Sequence, residues 1–311
     1  MVILKAHLGL LLWALLVGLS FPAVGLVDNA LPPMLLTALR FSVASLALWT
    51  LARRAPDRWP EGVAWLLYAA MGLCLAGFFA SMFWAASHTT ALAMATLFVS
   101  VPLLAFLLGL AAGLERRSWR LPLILSMGAL GAIMLAIVEA SGRANANAAG
   151  STDLGFGAGE AVFLLGCLAS ALYPVLSKWG LSRGLLSASA AVRTFWSLLL
   201  GGLLIGVLGL VLEPAAALAQ MRLRDGLVVL YLGLFSSALT FWLQQRATAV
   251  LTPGAVTAYG YLVPFVSMLL LFVQVPGRIG WGWLPGSVLV LLAMVLLWRD
   301  DARRRQAKRA R

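Results

Sequence analysis

The stretch ALAMATLFVSVPLLAFLLGLA, residues 91–111, is twenty-one residues long and has no charged side chain. A bilayer core about 30 Å thick needs about 20 consecutive apolar residues for one helix to cross it. This stretch therefore has the length and the composition of a transmembrane helix.

Nine other stretches of the chain have the same character. They lie at residues 8–26, 33–52, 64–86, 121–138, 156–176, 188–212, 226–245, 254–275 and 281–298. The composition agrees, since 62% of the 311 residues are hydrophobic and 11% are charged, whereas soluble domains have about 25% charged residues. We predict an all-α polytopic membrane protein with ten transmembrane helices. The first stretch lacks a clear small-x-small cleavage site, so we interpret it as a mature helix and not as a secretory signal.

Lysine and arginine are unevenly divided between the two sides of such a bundle. With the N-terminus placed inside, seventeen of these residues fall at the termini and in the connections on that side, and four fall in the other connections. The four are Arg143, Arg222, Arg224 and Arg278. Because Lys and Arg beside membrane helices are retained in the cytoplasm, we predict a bacterial inner-membrane protein with both termini cytoplasmic.

The net charge of +12 does not by itself indicate a nucleic-acid partner, because the positive residues follow the predicted topology. We interpret the basic tail, residues 300–311, as a topological anchor, with binding of anionic lipid headgroups as the alternative. Cys74 and Cys167 lie in apolar stretches and favour neither a disulfide nor a metal site. We expect no metal and no cofactor, and the chain has no Walker-type loop for ATP.

The second half of the chain repeats landmarks of the first. Five pairs recur in unchanged order: Phe21-Pro22 with Tyr173-Pro174, Arg40 with Arg193, Phe83-Trp84 with Phe241-Trp242, Pro102 with Pro264 and Trp119 with Trp281. The last two pairs share a constant shift of 162 residues, which also aligns Arg116 with Arg278. We predict a first five-helix repeat over residues 1–142, a periplasmic linker over 143–155 and a second five-helix repeat over 156–299.

An odd number of helices in each copy places the second copy upside down relative to the first. Inverted-topology repeats are the architecture from which many secondary transporters obtain two mirror-related states, with the substrate site between the repeats. The predicted repeat therefore favours transport over other membrane functions.

The repeated pattern resembles a known family. The run from Trp13 to Pro22, the Thr37-Ala-Leu-Arg-Phe41 run, the helix from Ala91 to Pro102 and Gly113-Leu-Glu-Arg116 are similar to the EamA repeat of the drug/metabolite transporter superfamily. The resemblance covers residues 5–298, and the first copy follows the pattern more closely than the second, where Gly277 replaces Glu115. It implies a ten-helix transporter. Similar members export amino acids, metabolites or toxic compounds, and some relatives handle sugar phosphates or lipid-linked sugars.

Arg40 and Arg193 are the two charged residues well inside predicted helices. Each is expected about seven residues into its helix, about 10 Å deep at 1.5 Å per residue. An intramembrane charge suggests a functional role, and a cavity-facing Arg would bind a carboxylate or a phosphate. The alternative is structural, since a long Arg side chain reaches the interface or the carbonyls of a neighbouring helix.

Acidic residues are absent from the middle of every predicted helix. Glu139, Glu160, Glu213 and Asp225 lie near helix ends, and Glu115 lies in a connection on the cytoplasmic side. The sequence therefore gives no support to proton coupling through a buried glutamate.

Aromatic and neutral polar residues are the other candidates for a substrate pathway, because binding pockets are mostly apolar with a few placed polar atoms. The candidates are Tyr173, Trp84, Trp242, Gln244, Gln245, Thr257 and Tyr261. Thr257 and Tyr261 are four residues apart and share a helical face, with Tyr259 turned away. The alternative for Trp84 is the interfacial aromatic belt, and for the glutamines it is pairing between helices.

Four prolines recur in equivalent pairs: Pro22 with Pro174, and Pro102 with Pro264. A proline inside a helix removes a hydrogen bond and bends the helix. We predict hinge or gate positions here, with fixed packing kinks as the alternative. The Gly202 and Gly206 pair indicates close helix packing.

The sequence favours a secondary transporter that exports a small metabolite, such as an amino acid, or a toxic compound by alternating access. A flippase for a lipid-linked sugar or another amphipathic lipid carrier is the alternative. An enzyme is disfavoured, because His7 and His88 are the only histidines and no acidic cluster accompanies them. The expected partners are a small-molecule substrate and the bilayer, with a homodimer as a candidate assembly and no nucleic acid.

Overall fold

The computed structural model describes residues 2–144, 157–274 and 281–309. Every regular element in these ranges is helical, and ten segments are long and apolar enough to cross a membrane. We number them spans 1–10: Val2–Val24, Pro33–Ala52, Val63–Ala86, Ala91–Ala111, Arg120–Glu139, Ala158–Ser182, Ala190–Leu212, Leu223–Val250, Pro253–Leu270 and Trp283–Arg303. The predicted all-α architecture with ten spans is confirmed.

Two helices continue beyond their apolar spans. The helix of span 5 runs over Arg120–Ala144, and that of span 10 runs over Trp283–Arg309 into the basic tail. Most of the predicted linker lies outside the described residues, as do Gly277 and Arg278. The repeat boundaries therefore stay predictions.

The spans pack in a pattern that relates the two halves. Span 2 packs on span 7, span 4 on span 9, and span 5 on span 10. Span 3 packs on spans 6 and 7, and span 8 correspondingly packs on spans 1 and 2. If each span is replaced by the span five positions later or earlier in the chain (span 2 by span 7, span 3 by span 8), the same pairs of neighbouring spans result. This is the pattern that a repeat of five spans predicts.

Two carboxylates bond reciprocally across spans 2 and 7. Glu213, which follows span 7, accepts hydrogen bonds from the backbone N–H groups of Met34 (2.9 Å) and Leu35 (3.0 Å) at the start of span 2. Asp57, which follows span 2, accepts one from the N–H of Ala188 (3.0 Å), just before span 7. Carboxylates stabilise helix N-termini, where N–H groups lack helical partners. Because each carboxylate follows one span and meets the start of the other, spans 2 and 7 run antiparallel, as an inverted repeat requires.

The connections gather at two ends of the bundle. At the end where span 1 begins and span 10 ends, Lys178 Nζ near the end of span 6 donates to the carbonyl of Ala249 near the end of span 8 (2.9 Å). At the opposite end, the Thr89 hydroxyl after span 3 donates to Glu160 in the first turn of span 6. We call these the termini end and the linker end.

Small residues bring spans 2 and 7 close together. A Cβ atom on Gly202 would lie 3.0 Å from the Cβ of Phe41, and one on Gly206 would lie 3.3 Å from the Cβ of Ala38. Both distances are short for carbon atoms in van der Waals contact. The predicted close packing at this glycine pair is confirmed.

Spans 4 and 9 are interrupted at equivalent places. Span 4 consists of helices Ala91–Phe98 and Val101–Ala111. Span 9 starts as a short helix, passes through a 3₁₀ turn at Ala258–Tyr261 and continues as helix Leu262–Gln274. Proline near the start of each second segment lacks the N–H that would continue the preceding helix. The 162-residue shift that aligns these prolines also aligns the two interruptions.

Candidate functional site

One face of span 8 contacts both of the predicted intramembrane arginines and the aromatic rings that lie between them. The middle of this span is a π-helical segment, Leu232–Leu239, and such segments are frequent at functional sites. Ser237, Phe241 and Gln245 follow at intervals of four residues and therefore share a face toward the interior. Ser237 contacts Arg40, Phe241 contacts an aromatic layer, and Gln245 contacts Arg193.

Arg193 is fully bonded within the protein. Its side chain is 0% exposed, as is that of Gln245. Arg193 donates from Nε to Gln245 Oε1 (3.1 Å), from Nη2 to the Gln245 backbone oxygen (2.9 Å) and from Nη1 to the Ser187 backbone oxygen (2.5 Å). Ser177 donates from its hydroxyl to the same Gln245 Oε1 (2.5 Å). Arg193 of span 7 and Ser177 of span 6 thus both bond to Gln245 of span 8, which joins the three spans at the termini end.

The depth predicted for Arg193 is wrong. Span 7 begins at Ala190, so Arg193 lies in the first helical turn and not about seven residues inside. Arg40 does lie seven residues beyond Pro33, where span 2 begins. The helix of span 7 starts later than its apolar stretch suggests, because Ser187 and Ala188 still belong to the preceding connection and bond there to Tyr68 and Asp57.

An aromatic layer separates the two arginines. The Phe41 ring meets Phe79 and Phe241 edge-on, with centroid distances of 5.3 and 6.2 Å. Tyr173 meets Phe241 edge-on at 5.8 Å, and its hydroxyl lies 3.1 Å from Ser197 Oγ. These edge-to-face contacts are favourable. Because Phe241 lies between Ser237 and Gln245 on one helical face, the layer lies between the levels of Arg40 and Arg193.

Arg40 has few protein partners. It is half-buried, and its Nη2 lies 3.3 Å from the hydroxyl of Ser237. Its Nε is buried and makes no hydrogen bond within the described part of the chain. The guanidinium carbon lies 5.9 Å from the centroid of the Phe79 ring. Arg40 and Arg193 occupy equivalent positions in the predicted repeat, but the structure gives them different hydrogen-bond partners.

The predicted candidates Trp242, Gln244 and Trp84 have different surroundings, and Trp242 packs against the same apolar core as Phe41 and Tyr173. Trp242 and Gln244 are half-buried near the termini end, and the Arg246 guanidinium stacks over the Trp242 ring at 4.8 Å. Trp84 lies at the linker end and stacks on His88 with a centroid distance of 3.9 Å. Among the candidates, the structure brings Gln245, Tyr173 and the arginines together along span 8.

Thr257 and Tyr261 are both buried in the part of span 9 near the termini end. The Thr257 hydroxyl donates to the carbonyl of Pro253 in its own helix (2.9 Å). The Tyr261 ring packs so closely on span 5 that a Cβ on Gly128 would lie 2.5 Å from it. Both side chains therefore pack within the protein in this conformation.

The prolines differ in environment. Pro22 is inside the helix of span 1 and exposed, whereas Pro174 is inside the helix of span 6 and buried. Pro102 is buried and Pro264 is half-buried, each just after the interruption of its span.

Sequence reasoning missed a polar cluster at the termini end. Tyr259, which was expected to face away, has a hydroxyl 2.7 Å from His7 Nδ1 and accepts a hydrogen bond from Trp298 Nε1 (2.5 Å). His7 Nε2 lies 3.4 Å from Asp301 Oδ2. Because the indole N–H only donates, the Tyr259 hydroxyl hydrogen is available to His7. The cluster joins spans 1, 9 and 10. The buried positions of span 1 show the helical period that places His7 inward: Ala6, His7, Leu10, Ala14 and Gly18.

Burial differs sharply between the two segments that the 162-residue shift aligns. No residue of Ala91–Phe98 is buried. In the aligned segment 253–260, every residue except Gly260 is buried. Equivalent pieces of the two halves thus differ in burial, since the piece at the linker end is half-buried or exposed and the piece at the termini end is buried.

Comparison with known proteins places this fold. The model of the EamA-like transporter family matches residues 157–299, although the sequence motifs favoured the first half as the closer copy. One crystal structure superimposes with a TM-score of 0.73 over 97% of this chain and 98% of its own, at 19% sequence identity. No curated protein matches the sequence. The EamA-like match thus covers the second half of the chain, and the helical fold with ten candidate membrane spans fits an EamA-type transporter.

Proposed function

We propose that the protein exports a small metabolite or a toxic compound from the cytoplasm by alternating access, as a secondary transporter of the bacterial inner membrane with both termini cytoplasmic. The observation that carries this proposal is the opposite burial of the aligned segments 91–98 and 253–260. An inverted-repeat transporter alternates between two states in which equivalent parts of the repeats exchange environments. The conformation described above fits the state that is closed at the termini end.

Two groups of contacts near the termini end support the proposal that this end is closed. The Arg193 network ties spans 6, 7 and 8. Beside it, aromatic rings of spans 2, 3 and 7 pack together, and Trp196 donates from its indole to the Arg58 carbonyl (2.8 Å). In an exporter, these contacts would break when substrate enters from the cytoplasm and form again before substrate leaves at the linker end.

The test uses a pair of alanines at aligned positions. Ala93 is half-buried, whereas Ala255 is 1% exposed. We would introduce Ala93→Cys and Ala255→Cys separately, after replacing the two buried cysteines, Cys74 and Cys167, by serine. In the resting protein a membrane-impermeant maleimide should label residue 93 faster than residue 255. A transported compound should change the two rates in opposite directions.

Transport itself would be measured with the purified chain in proteoliposomes loaded with pooled metabolites. Loss of a compound from the vesicles, together with opposite changes in labelling, would establish export by alternating access. Equal and unchanging labelling at the two alanines would contradict the mechanism.

One feature favours the flippase alternative. A crevice at the termini end between spans 1 and 8 is lined by Lys5, Arg246 and apolar residues, and basic crevices between membrane helices suit anionic headgroups. Transbilayer movement of a lipid-linked sugar in the same vesicles, without release of soluble metabolites, would favour that function.

A further inference from the structure

Within the described residues, the guanidinium of Arg40 has one hydrogen-bond acceptor, the hydroxyl of Ser237. An arginine side chain has five N–H donors. The contact with Ser237, at 3.3 Å, lies at the long end of the hydrogen-bond range, and Nε has no acceptor within the described residues. Arg193 shows the contrast, since each of its nitrogens has a protein oxygen. Carboxylates bind guanidinium groups with two parallel hydrogen bonds, so a carboxylate would satisfy Arg40.

Within the part of the chain that the structure describes, the polar contact of Arg40 is with Ser237 and no carboxylate pairs with its guanidinium. Of the eleven acidic residues of the sequence, Asp153 lies outside the described residues, and the other ten lie in connections or in the first or last turn of a span: Asp28, Asp57, Glu61, Glu115, Glu139, Glu160, Glu213, Asp225, Asp300 and Asp301. In a medium of low dielectric, like charges at close range repel strongly. An ammonium group on a substrate would therefore meet the Arg40 charge with no nearby counter-charge.

The surroundings of Arg40 toward the linker end are aromatic. Phe79 lies beside the guanidinium, and on the same span its ring contacts Phe78 and Phe83 with centroid distances of 5.3 and 6.2 Å. Span 3 runs from the termini end to the linker end, so Phe83 lies on the linker side of Phe79. Half-buried aromatic rings of this kind form walls for apolar ligands.

We propose that the substrate is an organic monoanion: one carboxylate, bound by Arg40 and Ser237, on an apolar or aromatic body that packs against the rings of span 3. This rests on the proposed export function and narrows its substrate class. Zwitterionic amino acids and organic amines are poorer ligands, because their ammonium group has no partner at this level of the bundle.

The test compares four compounds that share a phenylpropyl body: 3-phenylpropionate, phenylalanine, 3-phenylpropylamine and 3-phenylpropanol. Their dissociation constants would be measured with the full purified chain in detergent. The acid should bind about tenfold or more tightly than the amine, the alcohol and the amino acid, which corresponds to about 1.4 kcal/mol.

Three variants locate the binding site. Arg40→Gln should remove the preference for the acid, and Arg40→Lys should weaken it, because lysine lacks the planar fork that binds carboxylate at two points. Arg53→Gln, at the exposed end of span 2, is the control and should leave all four dissociation constants unchanged.

The proposal is overturned if the amine, the alcohol or the amino acid binds as tightly as the acid, if none of the four binds, or if Arg40→Gln keeps the preference. These outcomes are separate from failure of the export function. If the opposite labelling of residues 93 and 255 persists while the acid shows no preference, only the substrate class is wrong.

Discussion

At the scale of single residues, the two arginines contrast most clearly. Arg193 has three bonded nitrogens and no exposed surface, whereas Arg40 has one long contact and an unbonded buried Nε. A buried acceptor that loses its partner costs about 1–3 kcal/mol. Arg193 therefore contributes to the stability of this conformation, and Arg40 is the arginine that we propose binds the substrate.

Variants of the two arginines should thus fail in different ways. Arg193→Gln should lower the melting temperature in detergent, since the carbonyls of Ser187 and Gln245 lose their donors and each unpaired acceptor costs about 1–3 kcal/mol. Arg40→Gln should leave the melting temperature close to that of the natural chain and abolish transport. Thermal melts and transport would be measured at matched membrane abundance. An equal loss of stability in both variants would show that the arginines have the same role.

At the scale of helices, spans 5 and 10 approach so closely that glycine is required. A Cβ on Gly131 would lie 2.8 Å from the carbonyl oxygen of Gly286, and a Cβ on Gly286 would lie 2.8 Å from that of Gly131. Such distances are shorter than van der Waals contact, so the backbones of the two helices would have to separate. Close approach through small residues is typical of helix packing in membranes.

Replacing one of these glycines should destabilise the helix pair. Gly131→Ala should lower stability by about 1–3 kcal/mol, the usual cost of overpacking, and thermal melting in detergent would detect the change. Gly282→Ala is the matched control at the start of span 10, because a Cβ there would meet Val138 at an ordinary 3.7 Å. A melting temperature unchanged by Gly131→Ala would mean that the two spans separate at little cost.

At the scale of the whole molecule, the distribution of charge predicts orientation. In the predicted topology, seventeen lysines and arginines belong to the side of the termini and four to the connections of the other side. Because positive residues are retained in the cytoplasm, reporter fusions after Arg299 and within the connection 112–120 should read as cytoplasmic. A fusion near residue 145 should read as periplasmic. A periplasmic signal from the fusion after Arg299 would contradict the predicted orientation.

The sequence by itself determined the number of spans and several of their contacts. Crossing a bilayer requires a run of apolar residues of set length, which is a local property that a single sequence displays. For the same reason the interruptions near Pro102 and Pro264 and the close packing at Gly202 and Gly206 could be predicted from residue type and spacing.

Only the tertiary structure decided which polar residues are bonded within the protein. Arg193 meets Gln245 across 52 residues of sequence, Arg40 meets Ser237 across 197, and His7 meets Tyr259 across 252. Helical periodicity gives the face on which a side chain lies, but not which helix packs against that face. The different surroundings of the two arginines follow from these distant partners, because a buried donor is stabilised only where the fold supplies an acceptor.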